Sequence, residues 1–386
     1  WGKVYKQGRD ALEKLHISHE QIDEHELVQN LSLAKKQMVL IAKAIRSKCN
    51  FLILDEPTSS LSNTETEELF QVVRHLHKKE NIAIIFISHR LNEIFKICEN
   101  YTVMRNGEIV GNAPLTAHTK TSEIVEKMLS RKFEENFPKE KCKITEKLFE
   151  VEHLSGAEGK LKNVSLYVRS GEIVGIAGLV GAGKSELCKT IFGVYKNTGG
   201  KMLMRGKELK INSPSEAVKQ WLALVPEERR KEGVLVHENV SFNLSISCLS
   251  KFCTASFINS KLVDQNAEKY IKNLGIDTPS VKQVVRNLSG GNQQKVAVGK
   301  WLEVDSDIYI FDEPTKGVDV GAKQYIFRLI NEIAKKGKGI IFASCENSEL
   351  LALTDRIYVM YNGTVMAELE TAKTTEDEIR KFTWIR

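Results

Sequence analysis

Gly178-Leu179-Val180-Gly181-Ala182-Gly183-Lys184-Ser185 follows a short apolar run, Ile173–Ala177, and opens a segment of helical spacing at 185–193. Glycines at this spacing let a backbone wrap closely, so that several N–H groups point at one phosphate. The helix behind them adds its positive N-terminal end. In a loop of the form GxxxxGKS, the lysine reaches the β- and γ-phosphates of a nucleotide and the serine ligates Mg²⁺. The strand in front and the helix behind decide against an ordinary glycine-rich turn.

Two further segments complete the chemistry. Ile308-Tyr309-Ile310-Phe311-Asp312-Glu313 is an apolar strand ending in two carboxylates. Asp312 suits Mg²⁺, largely through water, because magnesium dehydrates reluctantly. Glu313 is placed to polarise an attacking water as a general base. Alone the pair says little, since acids often follow strands; beside the phosphate loop it says much. Leu288-Ser289-Gly290-Gly291-Asn292-Gln293-Gln294 opens a helix at 292–302 and reads as a second anion site by the same N–H and dipole logic. A structural cap would need only Ser289.

The chain repeats itself. Leu31-Ser32-Leu33-Ala34-Lys35-Lys36-Gln37 matches 288–294, and Asp55-Glu56-Pro57-Thr58 matches Asp312-Glu313-Pro314-Thr315. Phe86-Ile87-Ser88-His89 then aligns with Phe342-Ala343-Ser344-Cys345, and Asn106-Gly107 with Asn362-Gly363. A period this long means a duplicated domain and not a solenoid. Copy two is complete. Copy one reaches its Leu288 counterpart already at Leu31, so its phosphate loop would precede Trp1. We expect a first domain at 1–130, a polar linker at 131–148 containing Pro138, and a second domain at 149–386. The start at Trp1, without a Met or a signal pattern, is expected to be an interior point of a longer protein.

Hydrophobic residues make up 42% of the chain, enough for real cores, and no apolar run approaches the ~18–20 residues needed to cross a bilayer. A role in transport would need a separate permease. The net charge of +6 is dispersed; its densest run, Arg229-Arg230-Lys231, reads as a solvated loop. Seven scattered cysteines, with no CxxC pair, fit reduced thiols in a cytosolic protein. His16 and His19, and His75 and His77, read as exposed helical positions and not as metal ligands.

Together these segments resemble the ABC ATPases. Asn292-Gln293-Gln294-Lys295, Val225-Pro226-Glu227-Glu228-Arg229 and Lys316-Gly317-Val318-Asp319 resemble in particular the tandem-cassette bacterial sugar importers of ribose, galactose and xylose type. The resemblance implies an α/β fold: the P-loop NTPase cassette, with a mixed, largely parallel sheet, flanking helices and a helical subdomain, in duplicate. It implies ATP and Mg²⁺ as cofactors, and integral membrane permease subunits as partners. A periplasmic sugar-binding protein would take part indirectly, nucleic acid would not, and the location would be the cytoplasmic face of the bacterial inner membrane. Each ATP would lie between one cassette's phosphate loop and the other's signature.

On this reading Glu56, His89 and Glu313 are catalytic, and Ser185, Asp55 and Asp312 hold metal. Nucleotide is contacted by Gly178, Leu179, Val180, Gly181, Ala182, Gly183, Lys184 and Ser185, by Glu227, and by Ser289, Gly290, Gly291, Asn292 and Gln293. The first site pairs standard parts, including His89 and Asp319. The second faces a signature with Leu33 and Ala34 in place of glycines. It also has Cys345 at the switch-histidine position, Glu227 where the family generally has glutamine, and Ser62 where copy two has Asp319. It is expected to bind ATP more readily than hydrolyse it. No aromatic residue stands in 154–161, where family members stack adenine. Two other readings stay open: a soluble tandem-cassette ATPase acting on ribosomes or nucleic acid, and a nucleotide-binding regulatory subunit without turnover.

Overall fold

The structure, a computed structural model, describes residues 1–383 apart from 16, 48, 59, 60, 62, 89, 106, 130–138, 255, 256 and 319. Ser62, His89, Asn106, Asp319 and the first part of the expected linker, with Pro138, therefore lie outside the described residues. The chain divides into two compact units, Trp1–Glu134 and Glu135–Arg386.

Unit 1 runs α1 (Gly2–Glu13), α2 (Leu33–Arg46), β1 (Phe51–Asp55), α3 (Asn63–Lys78), β2 (Ala83–Ile87), α4 (Leu91–Ile97), β3 (Asn100–Arg105), β4 (Glu108–Pro114) and α5 (Thr121–Leu129). Strands β1 and β2 pair in parallel, with Asp55 opposite Ile87, and β3 and β4 form a separate antiparallel pair. The core gathers Leu12, Ile41, Leu52, Leu54, Leu69 and Leu76, from helices α1, α2 and α3 and one face of the β1–β2 pair.

Unit 2 begins with β5 (Lys147–Gly156), β6 (Leu161–Arg169), β7 (Ile173–Ala177), α6 (Lys184–Ile191), β8 (Asn197–Met204), β9 (Lys207–Leu209), α7 (Pro214–Lys219) and β10 (Leu222–Val225). There follow α8 (Val240–Ser245), a small hairpin of β11 (Cys253–Thr254) and β12 (Phe257–Ile258), α9 (Ser260–Leu274) and α10 (Gly290–Leu302). The chain closes with β13 (Ile308–Asp312), α11 (Val320–Lys335), β14 (Gly339–Ala343), α12 (Asn347–Leu353), β15 (Arg356–Tyr361), β16 (Thr364–Glu370) and α13 (Glu376–Thr383). One sheet has the order β10-β13-β14-β7-β15-β16, parallel except for β16; a second, antiparallel sheet has the order β6-β5-β8-β9. Helices α8, α9 and α10 pack on one another as a helical subdomain. Every residue of β7, β13 and β14 is buried, as expected of parallel strands covered on both faces.

The segment 139–148, expected as linker, belongs to unit 2. Lys139 pairs with Asp355, the Glu140 N–H donates to Asn331 Oδ1 at 3.2 Å, and Thr145 N–H donates to Ser170 O at 3.1 Å. Backbone groups that polar composition marks as free are bonded to the sheet's rim, and β5 already starts at Lys147.

Comparing the copies shows what unit 1 lacks. In unit 2, β7 lies between β14 and β15, and the helix that follows its loop, α6, packs on β13. In unit 1 the counterparts of β14 and β15 are β2 and β3, which fall in separate sheets. Phe51, Ile53, Ile85 and Ile87 are 44–58% exposed, whereas Ile308, Ile310, Ile341 and Ala343 at the same positions are all 0%. The registers agree nonetheless: Asp55 faces Ile87 as Asp312 faces Ala343, and both β3–β4 and β15–β16 shift register after the same valine, Val103 and Val359.

The turn Asn362-Gly363 shows how closely the phosphate loop packs in unit 2. Gly363 N–H donates to Ala182 O at 2.9 Å and Gly363 O accepts from Lys162 N–H at 2.9 Å. A Cβ on Gly363 would stand 1.7 Å from Lys160 O, while one on Gly107 meets nothing within 4 Å; both have positive φ, +80° and +83°. Gly107→Ala should therefore cost only the left-handed penalty of about 1–2 kcal/mol. Gly363→Ala, which adds a backbone clash, should cost clearly more in denaturant unfolding. Equal losses would mean that the turn does not hold the phosphate loop.

Candidate functional site

The groups singled out in copy two meet at the C-terminal ends of four parallel strands, where open α/β sheets bind ligands. β7 ends at Ala177 and delivers the loop 178–183; β13 ends in Asp312, followed by Glu313; β14 ends before Ser344 and Cys345; β10 is followed by Pro226 and Glu227. Positive φ at Gly181 (+84°) and Gly183 (+102°) turns the loop, and Gly183 packs against Gly363, 3.0 Å from its would-be Cβ to Gly363 Cα. No side chain fits there without displacing the turn.

Lys184 is 5% exposed. Its Nζ donates to Gly178 O at 2.8 Å, Leu179 O at 3.2 Å and Cys345 Sγ at 3.0 Å, and lies 3.5 Å from Glu313 Oε1. Burial works against this ammonium; the Cys345 sulfur and the Glu313 carboxylate overcome it, so Lys184 titrates above the ordinary lysine value. Ser185 Oγ lies 2.9 Å from Asp312 Oδ1 and 3.4 Å from Glu227 Oε2, with its single proton to share. Glu227 is also paired with Lys316 at 2.6 Å. Asp312 is fully buried and its Oδ2 has no hydrogen-bond partner. A buried, unpaired carboxylate oxygen beside a hydroxyl and a second carboxylate is a hard-oxygen set that fits magnesium.

The signature in unit 2 opens α10. Ser289 caps the helix by accepting from Asn292 N–H, and the Asn292 amide donates back to Ser289 Oγ at 3.0 Å. Gln293, expected among the nucleotide contacts, turns its side chain inward. It is 0% exposed; its amide donates to Leu288 O at 3.0 Å and Val285 O at 3.2 Å, and its oxygen accepts from Arg230 Nε at 3.0 Å. It fastens the signature's entry from within. Arg229 also departs from the solvated-loop reading. Its guanidinium donates to Lys316 O and Gly317 O at 3.2 and 3.3 Å, and comes 2.8 Å from where a Cβ on Gly290 would be. A side chain on Gly290 would displace the end of the Arg229 guanidinium, and through Arg229 the signature is tied to the loop after β13.

In unit 1, Ser32 caps α2 in the same way, accepting from Lys35 N–H at 3.3 Å, and Leu33 stands 54% exposed at the helix entrance. Asp55 and Glu56 are exposed, unlike Asp312 and Glu313. Glu56 N–H donates to Ile87 O at 2.9 Å as Glu313 N–H donates to Ala343 O at 3.0 Å, and both glutamates have left-handed backbones, φ +44° and +47°. His89 lies outside the described residues. Among the described residues one further group could hold a metal, His19 with Asp23 and Glu24, at the surface of unit 1; its charges are met by His19–Glu24 and Arg9–Glu24 contacts.

Similarity to known proteins points to one family. The ABC transporter family profile matches residues 4–59 and 161–316. The chain is similar to a ribose import ATP-binding protein of Clostridium tetani, 43% identical over 92% of this chain and 70% of that protein. It is similar to a galactose/methyl galactoside import ATP-binding protein of Mannheimia succiniciproducens, 40% identical over 98% and 74%. Among solved structures, an ADP-bound ATP-binding cassette of an ABC transporter superposes with a TM-score of 0.51 at 25% identity, over 61% of this chain and 94% of that one. A nucleotide-free cassette gives a TM-score of 0.52 at 24% identity, over 61% and 95%, a likeness of fold.

The buried carboxylate makes the site sensitive to pH. Burial pushes Asp312 up to about 7, with Glu227 and Glu313 adding and the Ser185 hydrogen bond opposing. A raised folded-state value means that the folded chain holds a proton the unfolded chain has already lost. Stability contributed by Asp312 is complete below about pH 4 and is lost as pH rises through about 7. Without metal, Asp312→Asn should therefore stabilise the chain at pH 8 by up to about 4 kcal/mol and hardly at all at pH 4. Denaturant unfolding at the two pH values checks this; a variant no more stable at pH 8 than at pH 4 contradicts it.

Proposed function

This chain belongs to the ABC transporter ATP-binding family, and on that premise we propose that it is the ATP-binding and ATP-hydrolysing subunit of a monosaccharide importer. The convergence of Lys184, Ser185, Asp312 and Glu313 at the ends of two parallel strands, β7 and β13, that flank β14 carries the ATPase part of the reading. The sugar part is supported by relatives named for ribose and galactose import at 40–43% identity. These names favour an importer over a cassette pair acting on ribosomes or nucleic acid. No helix among the described residues is long and apolar enough to cross a membrane. Import then runs through integral permease subunits, with this chain at the cytoplasmic face of the bacterial inner membrane and a periplasmic binding protein acting beyond it.

At the unit 2 site the phosphate loop wraps the triphosphate with backbone N–H groups, and Lys184 sets its charge against the β- and γ-phosphates. Ser185 and Asp312 would hold Mg²⁺, with Glu227 alongside; bound there, the ion neutralises phosphate charge. Glu313 takes the proton of the attacking water. Cys345 limits the site. Desolvation by the surrounding loops and the Glu313 carboxylate beside it push its thiol up to about 11, so it stays neutral and offers the γ-phosphate only a weak S–H donor where a histidine would offer N–H. Glu56 and His89 hold the corresponding places in copy one.

Lys184→Ala should weaken Mg·ATP binding about tenfold or more, since charge-assisted hydrogen bonds contribute roughly 1.5–3 kcal/mol each. Titration calorimetry giving the parent affinity would overturn the assignment of this loop. Steady-state hydrolysis by the chain should fall well below the enzyme median of ~10 s⁻¹, with what remains abolished by Glu313→Gln. A rate near that median would show Cys345 to be no handicap.

A further inference from the structure

Both copies bury a glutamate that none of the site motifs explains. In unit 2 it is Glu349, on α12 and 2% exposed. One oxygen, Oε2, accepts from Thr315 Oγ1 and from Ser344 Oγ, each at 2.8 Å. In unit 1 it is Glu93, on α4 and 3% exposed; its Oε2 accepts from Thr58 Oγ1 at 2.7 Å and from Ser88 Oγ at 2.8 Å. The two arrangements are built from different segments of the chain and agree to 0.1 Å.

Their countercharges do not agree, which sets the shared part in relief. Glu349 Oε1 meets Lys323 of α11 at 2.5 Å, whereas Glu93 Oε1 meets Arg90, at the foot of its own helix, at 3.4 Å. Burying a carboxylate needs a neutralising cation, and each copy supplies its own. The pair of hydroxyls on one oxygen is what both retain.

The placement of those hydroxyls gives the reason. Thr315 comes two residues after Glu313, and Ser344 immediately follows Ala343, whose carbonyl takes the Glu313 N–H. Glu349 therefore bolts the loop after β13 to the loop after β14. Between these loops sits Glu313 at φ +47°, as Glu56 sits at +44°. A left-handed backbone is unfavourable for a residue with a Cβ and persists where its surroundings over-determine it. Pro314 and Pro57 stiffen the next residue. The hydroxyl clamp closes the loop on its other side.

We propose that Glu349, and Glu93 in unit 1, are positioning residues that hold the general-base glutamate in its left-handed conformation through Thr315 and Ser344, or Thr58 and Ser88. They touch no reacting atom. The proposal rests on the reading of Glu313 given above for its meaning, but its first test does not depend on turnover.

Amide hydrogen exchange separates a positioning role from a merely stabilising one. In Thr315→Val, which keeps side-chain shape and removes one donor, exchange of peptides covering 313–318 should rise about tenfold, with the 178–185 peptide unchanged. Glu349→Ala should do the same, and Glu349→Gln, whose amide oxygen still accepts both hydroxyls, should restore protection. In single-turnover experiments the first two variants should lose about tenfold in hydrolysis rate while Mg·ATP affinity stays within threefold. Parent-like exchange in folded Thr315→Val and Glu349→Ala would overturn the proposal, as would a rise spread evenly over unit 2. If exchange loosens locally but Glu313→Gln leaves turnover unchanged, the positioning stands and the catalytic reading of Glu313 falls.

Discussion

The insertion of β7 between β14 and β15 is the constraint on which unit 2 depends. Parallel pairing fixes where each strand ends relative to its neighbours, with Ala343 opposite Ile176 and Val359 opposite Ala177. The groups that need to meet are carried on those ends. A phosphate loop can be written anywhere in a chain; it becomes a site when Asp312 and Glu313 arrive from the next strand but one, which the sheet order guarantees. The loop is then held from several sides, by Gly363 behind Gly183 and by the carbonyls that receive Lys184. Tightness here has a physical purpose, because backbone N–H groups act on phosphate only at short range.

The duplication provides an internal control. Registers, bulge position, the left-handed glutamates and the hydroxyl–carboxylate clamps are alike in both copies. Burial of the strand pair differs: the same two strands are buried in unit 2 and half-exposed in unit 1. The signatures differ too. Gly290 lies beside Arg229, which reaches on to the carbonyls of Lys316 and Gly317, whereas Leu33 places an exposed leucine at the helix entrance.

Much of this was legible in the sequence because the determinants are local. GxxxxGKS between a strand and a helix, DE after an apolar strand and the repeat of both need only short windows, and the α/β class follows from them. What escaped reading were residues whose meaning comes from partners far along the chain. Gln293 sits in a motif that faces an anion, yet helical geometry turns its side chain inward to Leu288 and Arg230. Glu349 looks like any acid in the first turn of a helix until Thr315 and Ser344 are beside it. Residues 139–146 have a linker's composition, but bonds to Ser170, Asn331 and Asp355 make them part of a domain. Polar composition records what a segment can bond to, not whether it does.

Gly183 and the Gly363 turn lie too close for a side chain between them, with a would-be Cβ on Gly183 3.0 Å from Gly363 Cα, and Gly363 N–H is bonded to Ala182 O at 2.9 Å. The phosphate loop and the β15–β16 hairpin therefore open together or not at all, as one cooperative unit.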